Sequence, residues 1–327
     1  YLDSVNNLVS KINYKECEKK YGSSPEKEFF IRAHKDFNNA IELAPDISYF
    51  YIGRARTKLS LGLINDALGD FESAVNLNPQ KAWKYHIEKA KINISLNQNL
   101  EQQALFELNL AIKKAPEKEK QSLAGLYYQR ALLEDKLNDW SKSIKDYNTA
   151  LNQYEKSPKN FIFLLENKGA GSGAPCLLEN LNEVSWKILP DKISEILGNR
   201  GKCNYVLKNY KEAINDFNRV FPNNDAKIYF IRSESKRYTG DYKGAITDLD
   251  TIIKSFPDSY PLYEIYDRRG FLYNQVKDYK KTIEDYNQAI KIYISGVHPD
   301  EKENPFLIRT IGKRAWAKQK TEGYEAF

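Results

Sequence analysis

Seven times along this chain a small residue is followed by an acid three positions on and a large apolar or aromatic residue four positions on. A third apolar residue, most often alanine, follows at seven. The small residues are Ala33, Ala67, Ala104, Ser143, Ala213, Ala245 and Thr282. The acids are Asp36, Asp70, Glu107, Asp146, Asp216, Asp248 and Asp285. The large residues are Phe37, Phe71, Leu108, Tyr147, Phe217, Leu249 and Tyr286, and the closing residues are Ala40, Ala74, Ala111, Ala150, Val220, Ile252 and Ala289. Positions 0, 4 and 7 fall on one face of an α-helix. Small residues at its ends let neighbouring helices come close, and the large residue fills the space between. Successive copies lie 32 to 39 residues apart, with one interval of 70. A period of that size marks stacked supersecondary units, none of which can bury its apolar face alone.

Each unit opens with a second pattern. Twelve residues before the small residue stands Ala55, Ala131, Gly201, Ser233 or Gly270, and just before it Arg54, Arg130, Arg200, Arg232 or Arg269. The third unit carries Lys89-Ala90 two residues early, which predicts a longer turn. The turns read Asn138-Asp139-Trp140, Asn209-Tyr210, Gly240-Asp241-Tyr242 and Asp278-Tyr279. Asp or Asn there can accept backbone N–H bonds and cap the second helix. Pro45, Pro79, Pro116 and Pro257 follow the second helices at nearly constant offset and end them.

The pattern resembles the tetratricopeptide repeat family over nearly the whole chain, departing from it in placing Arg where an aliphatic residue is usual. The resemblance implies an all-α fold, a right-handed α-α superhelix of about eight helix-turn-helix repeats plus a final helix. The period predicts one continuous solenoid over 1–327. Its repeats are expected near 2–43, 45–79, 80–116, 121–154, 157–190, 192–222, 226–257 and 260–294, with a partial unit over 304–327. The fifth is degenerate: PKNFIFLLENK and PCLLENLNEVSWKIL supply its helices, and GAGSGAP (169–175) joins them as a flexible linker. That linker reads as an engineered splice, with a natural Gly-rich loop as the alternative.

The recurrent Arg precedes an acid by sixteen residues in five units: Arg54 and Asp70, Arg130 and Asp146, Arg200 and Asp216, Arg232 and Asp248, Arg269 and Asp285. In an antiparallel helix pair these can meet. They read as structural ion pairs that set helix register, against the alternative of a ladder of anion sites. A pair repeated five times is not one active site.

Catalytic and metal patterns are missing. Cys17, Cys176 and Cys203 form no CxxC and leave an odd count, so neither a disulfide framework nor a zinc site is suggested. Unpaired thiols lean the reading towards an intracellular compartment. His34, His86 and His298 stand in no metal or catalytic spacing. Gly198-Asn199-Arg200-Gly201-Lys202 looks like a phosphate loop but lies mid-helix in register with the repeat. No cofactor is implied. No run reaches the length of a membrane span, and residues 1–10 lack the basic start and apolar block of a signal peptide.

The expectation is therefore a non-catalytic scaffold. In the family this chain resembles, first helices line a concave groove in which partner polypeptides lie. By register, Tyr49, Ile52, Arg56, Lys84, Ile87, Lys91, Tyr128, Leu132 and Asp135 would face it early on. Later in the chain come Asn199, Lys202, Tyr205, Phe230, Arg237, Arg268, Phe271, Lys313 and Trp316. Aromatic residues and Arg anchor interfaces well, and this mixture suits an acidic or aromatic-bearing peptide. The alternative is a nucleic-acid-binding repeat protein. It draws on a net charge of +6 and on aromatics that could stack on bases. That charge, spread over 327 residues, is far from a dense basic stripe.

Overall fold

The computed structural model describes residues 25–61, 63–95, 100–156, 189–220, 225–296 and 304–321. The part of the expected first repeat before Pro25, residues 157–188 of the degenerate repeat with its linker 169–175, Cys17, Cys176 and His298 lie outside the described residues. Among the described residues there is no β-strand. The chain divides into two compact units, Tyr1–Ile193 and Ser194–Phe327.

The first unit holds α1 (Pro25–Leu43), α2 (Ser48–Ser60), α3 (Ile64–Leu77), α4 (Ala82–Ser95), α5 (Glu101–Lys114), α6 (Ala124–Lys136) and α7 (Trp140–Lys156). The second holds most of α8 (Leu189–Val206), then α9 (Tyr210–Arg219), α10 (Ala226–Thr239), α11 (Tyr242–Ser255), α12 (Leu262–Gln275), α13 (Tyr279–Gly296) and α14 (Pro305–Thr321). Helix pairs α2/α3, α4/α5, α6/α7, α10/α11 and α12/α13 pack most closely, and within each unit the second helices also touch the next first helix: α1 on α2, α3 on α4, α5 on α6, α9 on α10, α11 on α12 and α13 on α14.

The repeated small and large residues form the cores of both units. Ala67, Phe71 and Ala74 of α3 are fully buried, as are Ala213 and Phe217 of α9 and Ala245, Leu249 and Ile252 of α11. In α13, Thr282 and Ala289 are fully buried and Tyr286 nearly so. The first-helix glycines explain the tight fit. A Cβ on Gly201 would stand 2.8 Å from the Phe217 ring, and one on Gly270 would stand 3.0 Å from the Tyr286 ring. The large residue of one helix thus rests on the small residue of its partner, at close to crystal-like density.

The turns share one backbone device. Asn138, Lys208, Gly240 and Lys277, each five residues before the repeat's small residue, all adopt positive φ, between 61° and 84°. The following residue caps the second helix in three cases. Asp241 accepts from Gly244 N at 2.9 Å, Asp278 from Lys281 N at 3.2 Å, and Asp139 from Lys142 N at 3.4 Å. Asn209, expected to do the same, makes no side-chain cap bond. Helices α1, α3, α5 and α11 each stop two residues before Pro45, Pro79, Pro116 and Pro257.

Candidate functional site

The five Arg–Asp couples come first because they set the framework. Nε and Nη2 of Arg54, Arg130, Arg232 and Arg269 donate to the two carboxylate oxygens of Asp70, Asp146, Asp248 and Asp285 at 2.5 to 3.0 Å. Arg200 grips Asp216 in the same fork. The acids are buried, so each carboxylate needs its fork. The sequence reading missed the third arm. Nη1 of Arg54, Arg130, Arg232, Arg269 and Arg314 reaches back to Asn38, Asn109, Asn218, Asp250 and Asn287. These acceptors sit five residues after the small residue of the preceding unit. One guanidinium therefore joins a first helix both to its own second helix and to the second helix before it. Only Arg, with its rigid planar set of five donors, can do this. Each of four such arginines also lies over a Tyr three residues earlier, Tyr51, Tyr127, Tyr229 and Tyr266, with centroids 5.2 to 5.5 Å away.

The third unit departs from this plan. Its Lys89 reaches Glu107 at 2.9 Å, and the buried His86 shares that carboxylate through Nδ1 at 2.6 Å. Lys114 Nζ lies 3.2 Å from His86 Nε2. An ammonium can only donate, so Nε2 accepts and Nδ1–H is the donor to Glu107. Three cation-capable side chains here replace one fork.

Four of the predicted groove residues meet in the second unit. Arg237, Arg268, Phe271 and Lys313 line a cleft of about 430 Å³ with Glu234, Glu264, Asp267, Phe306 and Arg309. Two buried acids organise it. Glu234 accepts from Arg237 at 2.8 and 3.1 Å and from Arg268 at 3.2 Å. Asp267 accepts from Lys313 at 2.9 and 3.0 Å and from the Thr310 hydroxyl at 3.1 Å, with Arg309 3.8 Å away. Phe230 joins the rim: it stacks on Tyr260 at 5.0 Å, and Arg268 lies 4.8 Å over its ring. Burial, and then the Glu234 carboxylate, push the Tyr205 phenol above its ordinary value. Its ring borders Tyr210, which stacks on Tyr238 at 4.5 Å.

Other expected groove residues lie elsewhere. Asn199 and Lys202 are half-buried and do not line the cleft. Trp316 is exposed, edge-on to Tyr279 at 6.1 Å. In the first unit Ile87 and Tyr128 are core residues rather than groove residues. Tyr128 is long enough to turn inward against Tyr147, 6.1 Å away. The missed acids had a readable signal. Glu234 occupies the register of Lys202 and Phe271, eleven residues before the repeat's small residue, and Asp267 occupies the register of Phe230, fifteen before. Acids at these registers carry neither the positive charge nor the ring that marks a groove anchor.

Two tetratricopeptide repeat patterns match the chain, over residues 228–259 and 263–293. Among solved structures, the C-terminal part of a TPR repeat-containing protein from Cytophaga hutchinsonii is 15% identical with a TM-score of 0.51, covering 87% of this chain and 94% of that one. A tetratricopeptide repeat protein from Parabacteroides merdae is 17% identical with a TM-score of 0.41, covering 91% and 98%. MamA from Desulfovibrio magneticus RS-1 is 16% identical with a TM-score of 0.44, covering 64% and 98%. No curated protein matches the chain in sequence. At these identities the likeness is one of fold.

Proposed function

Because the chain is a tetratricopeptide-repeat protein, we propose that it is a non-catalytic scaffold that holds a partner polypeptide in the first-helix cleft of its second unit. The observation that carries this is the cleft itself, where Arg237, Arg268, Arg309 and Lys313 surround Phe271 and Phe306. Its four cations face three acids, Glu234, Glu264 and Asp267, leaving one positive charge over. Glu234 and Asp267 hold Arg237, Arg268 and Lys313 by hydrogen bonds, and Arg309 stands exposed 3.8 Å from Asp267, so Arg268 and Arg309 present donor edges to the cleft. An acidic side chain beside an apolar or aromatic one fits that surface. A nucleic-acid backbone fits it less well, since three carboxylates would face the phosphates. No helix among the described residues is long and apolar enough to cross a membrane.

The test is selection from a random peptide library on the folded chain, followed by binding of the selected peptides to Phe271→Ala and Arg309→Glu. These substitutions leave Glu234 and the Lys313–Asp267 contacts in place, and circular dichroism checks the fold. Acidic, aromatic-bearing peptides that lose at least tenfold in affinity to both variants support the cleft. Peptides that bind wild type and variants equally place the interface elsewhere. Salt-steep binding to RNA in place of any peptide would favour the nucleic-acid reading.

A further inference from the structure

The cleft of the second unit holds one acid that its own cations leave unanswered. Glu234 is bonded by Arg237 and Arg268, and Asp267 by Lys313 and Thr310. Glu264 lines the same cleft and is half-buried, yet no cation among the described residues pairs with it. Its carboxylate accepts only from the neighbouring Tyr263 hydroxyl, at 3.4 Å. Arg268 stands four residues further along α12, the favoured spacing for a helical ion pair. Its guanidinium is turned instead to Glu234 at 3.2 Å and to the Phe230 ring at 4.8 Å. Burial, and then the Glu264 charge, push the Tyr263 phenol above its ordinary value, as expected beside a carboxylate that no cation neutralises.

The cleft-lining stripe of α12 has an order. Glu264, Arg268 and Phe271 follow at 0, 4 and 7, so an acid, a cation and a ring stand on one helical face. The helical rise separates them by about 6 and 4.5 Å along the axis. Across the cleft, α14 sets Arg309 beside Asp267 at 3.8 Å, 61% exposed and over the Phe306 ring at 5.7 Å. An acid in the first turn of a helix also offsets the helix dipole. That role needs neither a place in a cleft nor an Arg and a ring in register beside it.

We propose that the cleft selects a partner segment of mixed charge. A lysine or arginine of the partner meets Glu264, an acidic residue meets Arg268 and Arg309, and an apolar or aromatic residue meets Phe271, in that order along the segment. Alternate side chains of an extended chain share a face at intervals of about 6.6 Å, which long side chains match to the α12 stripe. The pattern is therefore basic-x-acidic-x-apolar, read in one chain direction. The inference rests on the cleft being the partner site, and it adds the cation. A uniformly acidic segment would set a carboxylate against Glu264, and like charges facing across an interface select against it.

The test is selection from a phage-displayed library of random dodecapeptides, run in parallel on the full wild-type chain, Glu264→Gln and Glu264→Lys, with circular dichroism of each. Wild type is expected to enrich peptides with a basic residue two positions from an acidic one and an apolar or aromatic residue beyond. Glu264→Gln should erase the basic preference, and Glu264→Lys should turn it into an acidic one. A resynthesised wild-type peptide should lose about tenfold in affinity to Glu264→Lys and regain it when its basic residue is changed to glutamate. Suppose peptides lose affinity to Phe271→Ala and Arg309→Glu but carry no basic position, or one that Glu264→Lys leaves unchanged. That result overturns the inference and leaves the cleft as the partner site. Peptides indifferent to Phe271→Ala and Arg309→Glu overturn both, as does a library that yields no peptide.

Discussion

Glu134 occupies a position where other units place a group that binds the repeat's acid. Nine residues before the small residue, Lys58 binds Asp70, Lys236 binds Asp248 and Asn204 donates to Asp216 at 3.2 Å. At the same register the fourth unit places a carboxyl beside the Asp146 carboxylate. Glu134 is buried, and its Oε2 has no hydrogen-bond partner. Burial first, and Asp146 second, push its carboxyl up to about 7, against the pull of Arg130. The folded chain thus binds a proton that the unfolded chain releases near its ordinary 4.5. Stability from this group is present below the unfolded value and is lost as pH rises through the folded one. Between pH 5.5 and 8.0 the linkage relation gives a loss of about 2 kcal/mol from this single carboxyl.

Glu134→Gln keeps the shape and removes the titration. Urea unfolding of wild type and variant at both pH values isolates the group, because other titrations cancel in the difference. With Gln standing in for the protonated carboxyl, the variant should already be the more stable by about 1.4 kcal/mol at pH 5.5, and the gap should widen by about 2 kcal/mol between pH 5.5 and pH 8.0. Glu134→Lys should go further at pH 8.0, since lysine at this register binds the acid in two other units. A wild-type-to-Gln difference that is the same at both pH values would refute the reasoning. It would mean that Asp146 and burial do not hold the Glu134 proton.

The Arg232–Asp248 couple is buried, and without Arg232 the carboxylate keeps Lys236 alone. Arg232→Met with Lys236→Met should cost about 3–5 kcal/mol in urea unfolding, whereas the variant that adds Asp248→Leu to those two should cost clearly less. Equal losses would show that the pair contributes attraction beyond its desolvation cost. Lys208 and Lys277 hold the left-handed turn position that Gly240 fills in the seventh unit. Replacing each by Gly should stabilise the chain by about 0.5–1 kcal/mol, read as a rise in the urea midpoint; unchanged or lowered midpoints would mean the lysine side chains contribute more than the backbone strain costs.

The helices were legible because their signal is local and repeated. Positions 0, 4 and 7 must face a neighbour in every copy, so Phe71, Tyr147 and Phe217 identify one another as core residues. The Arg and Asp sixteen apart were legible for the same reason. The backward bonds to Asn38, Asn109, Asn218 and Asn287 were printed in the sequence just as regularly. They stayed unread because seeing them requires knowing that each first helix lies against the second helix of the unit before it. The cleft was half legible. Its cations are plain in the sequence, but Arg237 and Lys313 are already committed to Glu234 and Asp267. A buried acid is silent in a search for positive surface, yet it fixes where the positive groups stand. Tyr128 failed for a different reason, because register gives the direction of Cα–Cβ and not where a long aromatic side chain ends.

The third arm of the arginine changes what the repeated pair means. A fork to one Asp would stabilise a helix pair within its own unit. A guanidinium that also bonds the preceding unit makes the correct stacking of two units a condition for satisfying a buried charge. In a stack where each unit contacts its neighbours, that condition belongs to the interface term that couples units into one folding transition. Lys89, with a single ammonium, reaches Glu107 but makes no backward bond to α3 like that of Arg54 to Asn38. The boundary between the second and third units is therefore secured by packing of α3 on α4, with Arg56 of α2 reaching Glu88 of α4 at 3.4 Å across an exposed surface. An exposed pair of that kind contributes little. Coupling between repeats should accordingly be weaker there than at the boundaries bridged by Arg130, Arg232 and Arg269, and the compact unit Ser194–Phe327, where such arginines recur without interruption from α10 to α14, should unfold more cooperatively than Tyr1–Ile193.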